Sequence, residues 1–124
     1  MWASAQHNVR VSGLPVAEAV RGVLDRAAST PPSVLGVRRV LGVRDYRRTA
    51  TEQPRWLGAA PLVELELEGG RILLRPSGTE PKLKFYVDLS AELPRGAAVS
   101  GVENELAAEA SALARELVEK LGLA

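Results

Sequence analysis

The fold is decided by residues 62–88, which read LVELELEGGRILLRPSGTEPKLKFYVD. Apolar residues alternate with glutamates over residues 63–68, which predicts a strand with one apolar and one solvated face. Glycines 69 and 70 suit a two-residue connection, because such turns need backbone at positive φ. Residues 71–75 then return as a second strand, and the alternation resumes over residues 82–88. We therefore predict a β-hairpin, then an insertion, then a further strand.

Upstream of this stretch, the pattern predicts one helix and one strand. Apolar residues recur at helical spacing over residues 14–28, and the prolines at 31 and 32 stop the helix because they cannot continue its hydrogen bonding. Residues 34–46 are rich in valine and predict one bent or interrupted strand. Residues 47–61 have no sustained period, so we assign them to a surface loop that Trp56 could pin.

Downstream, residues 102–121 carry an apolar stripe at helical steps, which predicts a C-terminal helix. Ser100 and Glu103 have the spacing of a capping box at its start, and Gly122 is suited to end it.

This order of elements predicts an α+β domain, namely a four-stranded, mainly antiparallel sheet with two helices packed on one face. We assign the domain to residues 13–124. Residues 1–12 show neither helical nor strand periodicity, so we expect a disordered start, a linker or a remnant of cloning there.

Composition and charge limit the classes of function. The chain has 124 residues, of which 46% are hydrophobic and 25% charged, as expected for one soluble globular domain without a membrane span. The net charge is +1 and there is no cysteine. We therefore expect no nucleic-acid or membrane partner, no disulfide and a cytoplasmic location.

The insertion between the last two predicted strands carries the chemistry. Arg75 offers a planar guanidinium that matches phosphate oxygens, and Lys82 adds a second positive charge. Ser77 and Thr79 offer hydroxyl donors, while Gly78 allows the backbone to approach a ligand closely. These residue types predict a loop that binds a phosphate or a carboxylate.

Residues 75–86, Arg-Pro-Ser-Gly-Thr-Glu-Pro-Lys-Leu-Lys-Phe-Tyr, resemble the C-terminal signature of the α-D-phosphohexomutases, in the phosphoglucomutase and phosphomannomutase branch. The resemblance implies a fold similar to that of the TATA-box-binding protein. It also implies that Arg75, Ser77, Gly78 and Thr79 bind the substrate phosphate that is not being transferred, with Lys82 a weaker candidate and the role of Glu80 left open.

The same resemblance implies what this chain does not do by itself. Complete family enzymes use a phosphoserine, a Mg²⁺ held by aspartates and a sugar-recognition loop, all on preceding domains. We therefore expect no catalytic residue, no metal ligand and no cofactor in this chain. The implied partners are a hexose phosphate or hexose bisphosphate and the preceding catalytic domains of a mutase that interconverts hexose 1-phosphate and 6-phosphate.

Two alternatives remain beside the interpretation as a phosphohexomutase domain. One is a stand-alone module for sugar-phosphate binding or interaction. The other is a nucleic-acid-binding domain, favoured by a basic concentration that comprises Arg38, Arg39, Arg44, Arg47, Arg48 and Arg55. The near-neutral charge and the low aromatic content argue against nucleic acid, so we expect these arginines to face solvent or a neighbouring domain.

The glutamates at 64, 66 and 68 have a simpler interpretation than catalysis. Because alternation places them on one face of a strand, we expect ordinary solvated charges rather than an acid pair.

Overall fold

The structure, a computed structural model, describes residues 2–11, 16–46, 62–77, 82–92 and 99–123. Its elements run in the order β1 (Trp2–Arg10), α1 (Val16–Ser29), β2 (Val34–Leu35), β3 (Arg38–Asp45), β4 (Val63–Leu67), β5 (Gly70–Pro76), β6 (Lys82–Ser90) and α2 (Val99–Lys120). The predicted α+β class and both predicted helices are confirmed. The loop predicted over residues 47–61, with Trp56, lies outside the described residues.

The strands form one sheet in the order β1-β6-β5-β4-β3-β2, in which every neighbouring pair is antiparallel. The described part of the chain holds six strands, so the predicted count of four is wrong. The hairpin of β4 and β5 is present, but Leu67 pairs with Gly70. Its turn is therefore Glu68–Gly69, one residue earlier than predicted.

The first additional strand is β1, at the position where a disordered start was expected. It pairs with β6 in nine consecutive positions, from Trp2 opposite Ser90 to Arg10 opposite Lys82. The prediction of disorder is therefore wrong for these residues. The periodic signal was weak because the side of β1 that faces the core carries the small Ala3 and Ala5 and the polar His7 before Val9, while Trp2 lies on the exposed side. The domain boundary at residue 13 stays a prediction.

The second additional strand arises from the valine-rich segment, which is interrupted as the sequence allowed. Gly36 has a φ of 59° and turns the chain between β2 and β3. The register between β3 and β4 also shifts between Val40 and Gly42. The turn thus divides the segment that was predicted as one strand into β2 and β3, and the register shift makes β3 itself irregular.

One face of the sheet is covered by the two helices. The apolar stripe of α1, with Val23, Leu24 and Ala27, and that of α2 join the inward side chains of the sheet in a single buried cluster. Ile72, Leu74 and the inward residues of β6 are fully buried there. The members from β6 are Leu83, Phe85, Val87 and Leu89. The opposite face, here called the outer face, carries the polar residues of the same strands.

The C-terminal helix ends as predicted but begins differently. The Leu123 N–H donates to the Val118 carbonyl and the Gly122 N–H to the Glu119 carbonyl, each at 3.0 Å, and Gly122 has a φ of 76°. This pair of bonds is a Schellman motif. At the other end α2 begins at Val99, so Ser100 lies within the helix and the predicted capping box is wrong. No helix in the described ranges is long and apolar enough to cross a bilayer.

Arg38 links three elements at one end of the sheet. Its guanidinium binds the Glu109 carboxylate of α2 through two bonds of 2.7 and 3.1 Å and donates to the carbonyls of Glu68 and Gly69. The hydrogen bond to Glu109 raises the pKa of Arg38 against the opposing effect of burial. The side chain is 13% exposed. The expectation that this arginine faces solvent or another domain is therefore wrong.

Candidate functional site

The predicted binding loop connects β5 to β6. Arg75 and Pro76 are the last two residues of β5, and Lys82 is the first residue of β6. The Ser77 N–H donates to the Lys82 carbonyl at 2.9 Å, which closes the loop at its base. Gly78, Thr79 and Glu80 lie outside the described residues, so their predicted roles stay predictions.

Arg75 faces outward because its neighbours Leu74 in β5 and Leu83 in β6 point into the core. Leu74 before it and Leu83 on β6 are fully buried, whereas Arg75 is exposed. Within the described ranges, no hydrogen bond or ion pair involves its guanidinium. A permanently charged fork is thus presented to solvent beside the loop.

Ser77 can contribute less than the sequence suggested. Its backbone N–H is committed to the Lys82 carbonyl, so it is not available to an anion. What remains is the hydroxyl group, on a residue that is half-buried.

The register of the sheet brings further positive charges to the same end. Arg75 is opposite Lys84, and Arg10 is opposite Lys82. Directly opposite residues lie on the same side of a sheet, so all four cations lie on the outer face. Neither Lys84 nor Arg10 was among the residues predicted for the site. The alternation of β6 was the signal for Lys84, since it places Lys82 and Lys84 on one face.

Farther from the loop, the outer face carries charges that are already paired. Arg71 donates to Asp88 at 3.2 Å and lies 3.5 Å from a Glu64 oxygen, and the hydrogen bond to Asp88 raises the pKa of Arg71. Arg44 lies 3.0 Å from Glu66, and its pKa is raised first by a side-chain hydrogen bond with Tyr46. These arginines are engaged within the fold, in contrast to Arg75.

Glu64 corrects the expectation of three solvated glutamates. Only 6% of the residue is exposed. Its carboxylate accepts a hydrogen bond of 3.2 Å from the Tyr46 hydroxyl and lies near Arg71 and Arg44. A buried carboxylate with these partners is a structural element of the outer face, because burying it unpaired would be costly.

The arrangement at the loop is suited to holding an anion. A phosphate would meet one guanidinium with no partner in the described part of the chain, the charges of two lysines on β6 and the hydroxyl of Ser77. Across the ranges that the structure describes, no three His, Asp or Glu residues stand together where they could hold a metal ion. The described residues at the loop thus offer positive charge and a hydroxyl group that are complementary to an anion.

Comparison with protein families places this domain. Residues 8–119 match the family described as Phosphoglucomutase/phosphomannomutase, C-terminal domain. The match begins inside β1, so the family pattern takes in the end of that strand together with the helices and the other strands.

Relatives with assigned names agree with that match. A phosphoglucomutase of Staphylococcus haemolyticus is 34% identical over 80 residues, which cover 59% of this chain and 15% of the relative. A probable phosphomannomutase of Haemophilus influenzae is 31% identical over 97 residues, which cover 77% of this chain and 18% of the relative. A phosphoglucosamine mutase of Frankia alni is 38% identical over 73 residues, which cover 57% of this chain and 15% of the relative. The chain thus spans less than a fifth of the length of these relatives.

Proposed function

Because this chain belongs to the phosphoglucomutase/phosphomannomutase family and corresponds to its C-terminal domain, we propose that it binds the phosphate group of a phosphosugar at the loop between β5 and β6. The observation that carries the proposal is Arg75. It is exposed at the mouth of the loop, and no acidic group of the described residues neutralises it. Lys84 stands opposite it on the neighbouring strand.

The proposed role in a mutase is to orient the substrate. A domain that grips the phosphate not being transferred uses binding energy remote from the reacting centre to fix the position of the sugar. Arg75 supplies the planar contact, while Lys82 and Lys84 supply further positive charge. Ser77, Gly78 and Thr79 complete the proposed set.

The proposed reaction is the interconversion of hexose 1-phosphate and 6-phosphate, of the glucose or mannose type, by a longer polypeptide in the cytoplasm. The relatives carry names for several sugars, including glucosamine and mannose, but all are called mutases. In this proposal the phosphoserine, and the Mg²⁺ that neutralises the transferred group, lie on preceding domains, as the resemblance to the family implies.

An NMR titration tests the binding site directly. Glucose 1-phosphate, inorganic phosphate and glucose are each added to the labelled domain while its amide resonances are followed. Both phosphate-bearing ligands should shift the resonances of Ser77 and its neighbours in the loop, whereas glucose alone should not. Unchanged loop resonances at millimolar phosphate would contradict the proposal.

Two arginine variants give the matched control. Arg75→Ala should weaken phosphate binding roughly tenfold or more, since a charge-assisted, bidentate contact contributes about 1.5–3 kcal/mol. Arg39→Ala removes the same charge from an exposed position on β3 and should leave the affinity unchanged. Equal losses in the two variants would indicate a general charge effect and not a site.

The domain alone is expected to show no mutase activity, because holding a phosphate does not supply a phosphoryl donor. A coupled assay with glucose 1-phosphate and Mg²⁺ measures this. Turnover by the pure chain would overturn the assignment of catalysis to other domains.

A further inference from the structure

The two edges of the sheet, formed at β1 and at β2, differ in how well they are protected against pairing with another strand. At one edge, the two-residue strand β2 pairs only with Arg38 and Arg39, and Lys120 donates to the Val34 carbonyl at 3.1 Å. The rest of β3 carries a register shift between Val40 and Gly42 and ends in the charged residues Arg44 and Asp45. Short strands, irregularities and charges of this kind protect an edge against pairing with another strand.

Among the residues that the structure describes, none gives the β1 edge a comparable protection. It is nine residues long, contains neither proline nor lysine, and pairs with β6 without a register shift, so no bulge bends it away. In the described part of the chain no strand lies on its other side. A long, regular edge whose one charged residue, Arg10, lies at its end is a template for a further strand.

The sequence of β1 is complementary to itself in one antiparallel register. When two copies are aligned about Gln6, all nine positions pair and Trp2 of each copy stands opposite Arg10 of the other. Ser4 then faces Asn8, which permits a hydrogen bond across the pair. Trp2 is 64% exposed, and Arg10 is exposed with no ion-pair partner among the described residues.

A cleft at the Trp2 end independently suits a guanidinium. The cleft lies on the outer face and has a volume of about 510 Å³. It is lined by Trp2, Ser4, Gly69, Gly70, Arg71, Asp88 and Ser90. The indole face attracts a cation. The Asp88 carboxylate accepts bonds from Ser4 at 2.6 Å and Arg71 at 3.2 Å, and a carboxylate can accept more than two.

We propose that two copies of this chain pair through β1 about a two-fold axis at Gln6, with Arg10 of each copy entering the Trp2 cleft of the other. The interface is isologous, so each contact occurs twice. The sheets of the two copies then run on as one, and the unprotected edge is removed. The cleft and the edge are separate features, and the same register satisfies both.

Sedimentation velocity of the full chain at rising concentration tests the association. The weight-average mass should rise from 13.2 kDa towards twice that value. Gln6→Lys and Gln6→Glu each place like charges opposite one another at the axis, so each variant alone should associate roughly tenfold more weakly or worse. An equimolar mixture of the two should recover the mass of the dimer, because lysine then faces glutamate.

Further variants test the cleft and the specificity of the effect. Arg10→Ala and Trp2→Ala should each weaken association roughly threefold to tenfold. Val37→Lys adds a charge at a residue that is 89% exposed in the turn between β2 and β3, far from β1 in the strand order, and should have no effect. Circular dichroism checks that every variant is folded. A wild-type chain that stays monomeric at all concentrations, a mixture that stays monomeric, or a Val37→Lys variant as weak as Gln6→Lys would each overturn the proposal.

Discussion

Arg38 and Arg39 are adjacent on β3 but lie in opposite environments. The Arg38 guanidinium is largely buried and makes a two-bond ion pair with Glu109 as well as bonds to two turn carbonyls. Arg39 is exposed. Its backbone N–H donates to the Glu68 carboxylate and its carbonyl accepts from the Glu68 N–H, each at 3.0 Å, while no bond of its guanidinium is described. Alternation along the strand separates the two side chains, since successive residues point to opposite faces.

Arg38→Ala should lower the free energy of unfolding by about 2 kcal/mol, because Glu109 and the turn carbonyls lose charge-assisted hydrogen bonds. Arg39→Ala should change it by less than about 0.5 kcal/mol, as is usual for exposed positions. Urea denaturation followed by circular dichroism measures both. If the two variants are equally stable, Arg38 does not connect α2 to the sheet in the way described.

Roles of single residues could be predicted from the sequence only where they depend on the local pattern of residue types. The motif around Arg75 was recognisable because its residue types are unusual between two strands, and the structure places Arg75 at the end of β5 as expected. Glu64, Glu66 and Glu68 looked equivalent because they share one alternating pattern. Glu64 differs only through Tyr46, Arg71 and Arg44, which belong to other strands or their ends and leave no mark on the local sequence.

At the scale of the element, α2 contains two glycines with opposite requirements. Gly101 lies within the helix and Gly122 follows it at a φ of 76°, and at neither glycine would an added Cβ meet any atom within 4 Å. The two positions therefore do not differ in the space around them. They differ in backbone conformation, which is helical at Gly101 and left-handed at Gly122.

Gly101→Ala should raise the free energy of unfolding by about 0.5 kcal/mol, because alanine loses less conformational freedom on entering a helix. Gly122→Ala should lower it by about 1 kcal/mol, because a side chain disfavours the left-handed conformation that the Schellman motif requires. Thermal unfolding of the two variants should show shifts of opposite sign. Shifts of the same sign would contradict the roles given to the two glycines.

Elements with a strong period were predictable and those without one were not. The stripes of both helices and the alternation of β4 and β6 gave their positions correctly, since each buries one regular face. The start of α2 was misplaced because capping residues are common and their spacing is short. The strand β1 was missed because its inner side combines two alanines with His7 and Val9, a set that gives little contrast in hydropathy with the outer side.

At the scale of the whole molecule, β1 completes the sheet above α2. Ala3 of β1 and Val11 just after it are buried members of the core, and Leu83, Phe85 and Val87 of β6 lie beside β1 in the register. Without β1, the backbone of β6 and the apolar surface of α2 would both face water. Domains of this size have only about 5–15 kcal/mol of stability to lose.

Deletion of residues 1–10 should therefore abolish the cooperative unfolding transition, or lower its midpoint severely. Differential scanning calorimetry of the deleted and the full chain measures the effect. A deleted chain that unfolds like the full chain would support a domain that begins at residue 13 and would make β1 an accessory strand.

The hydrogen bond from the Ser77 N–H to the Lys82 carbonyl has a thermodynamic consequence for any ligand held by the loop. It joins the two ends of the segment when the hairpin folds, so the entropy of closing that segment is already lost before a ligand arrives. Binding then has fewer degrees of freedom to restrict, and more of the contact energy is expressed as affinity. A phosphate bound there, as we propose, would gain affinity from preorganisation as well as from charge.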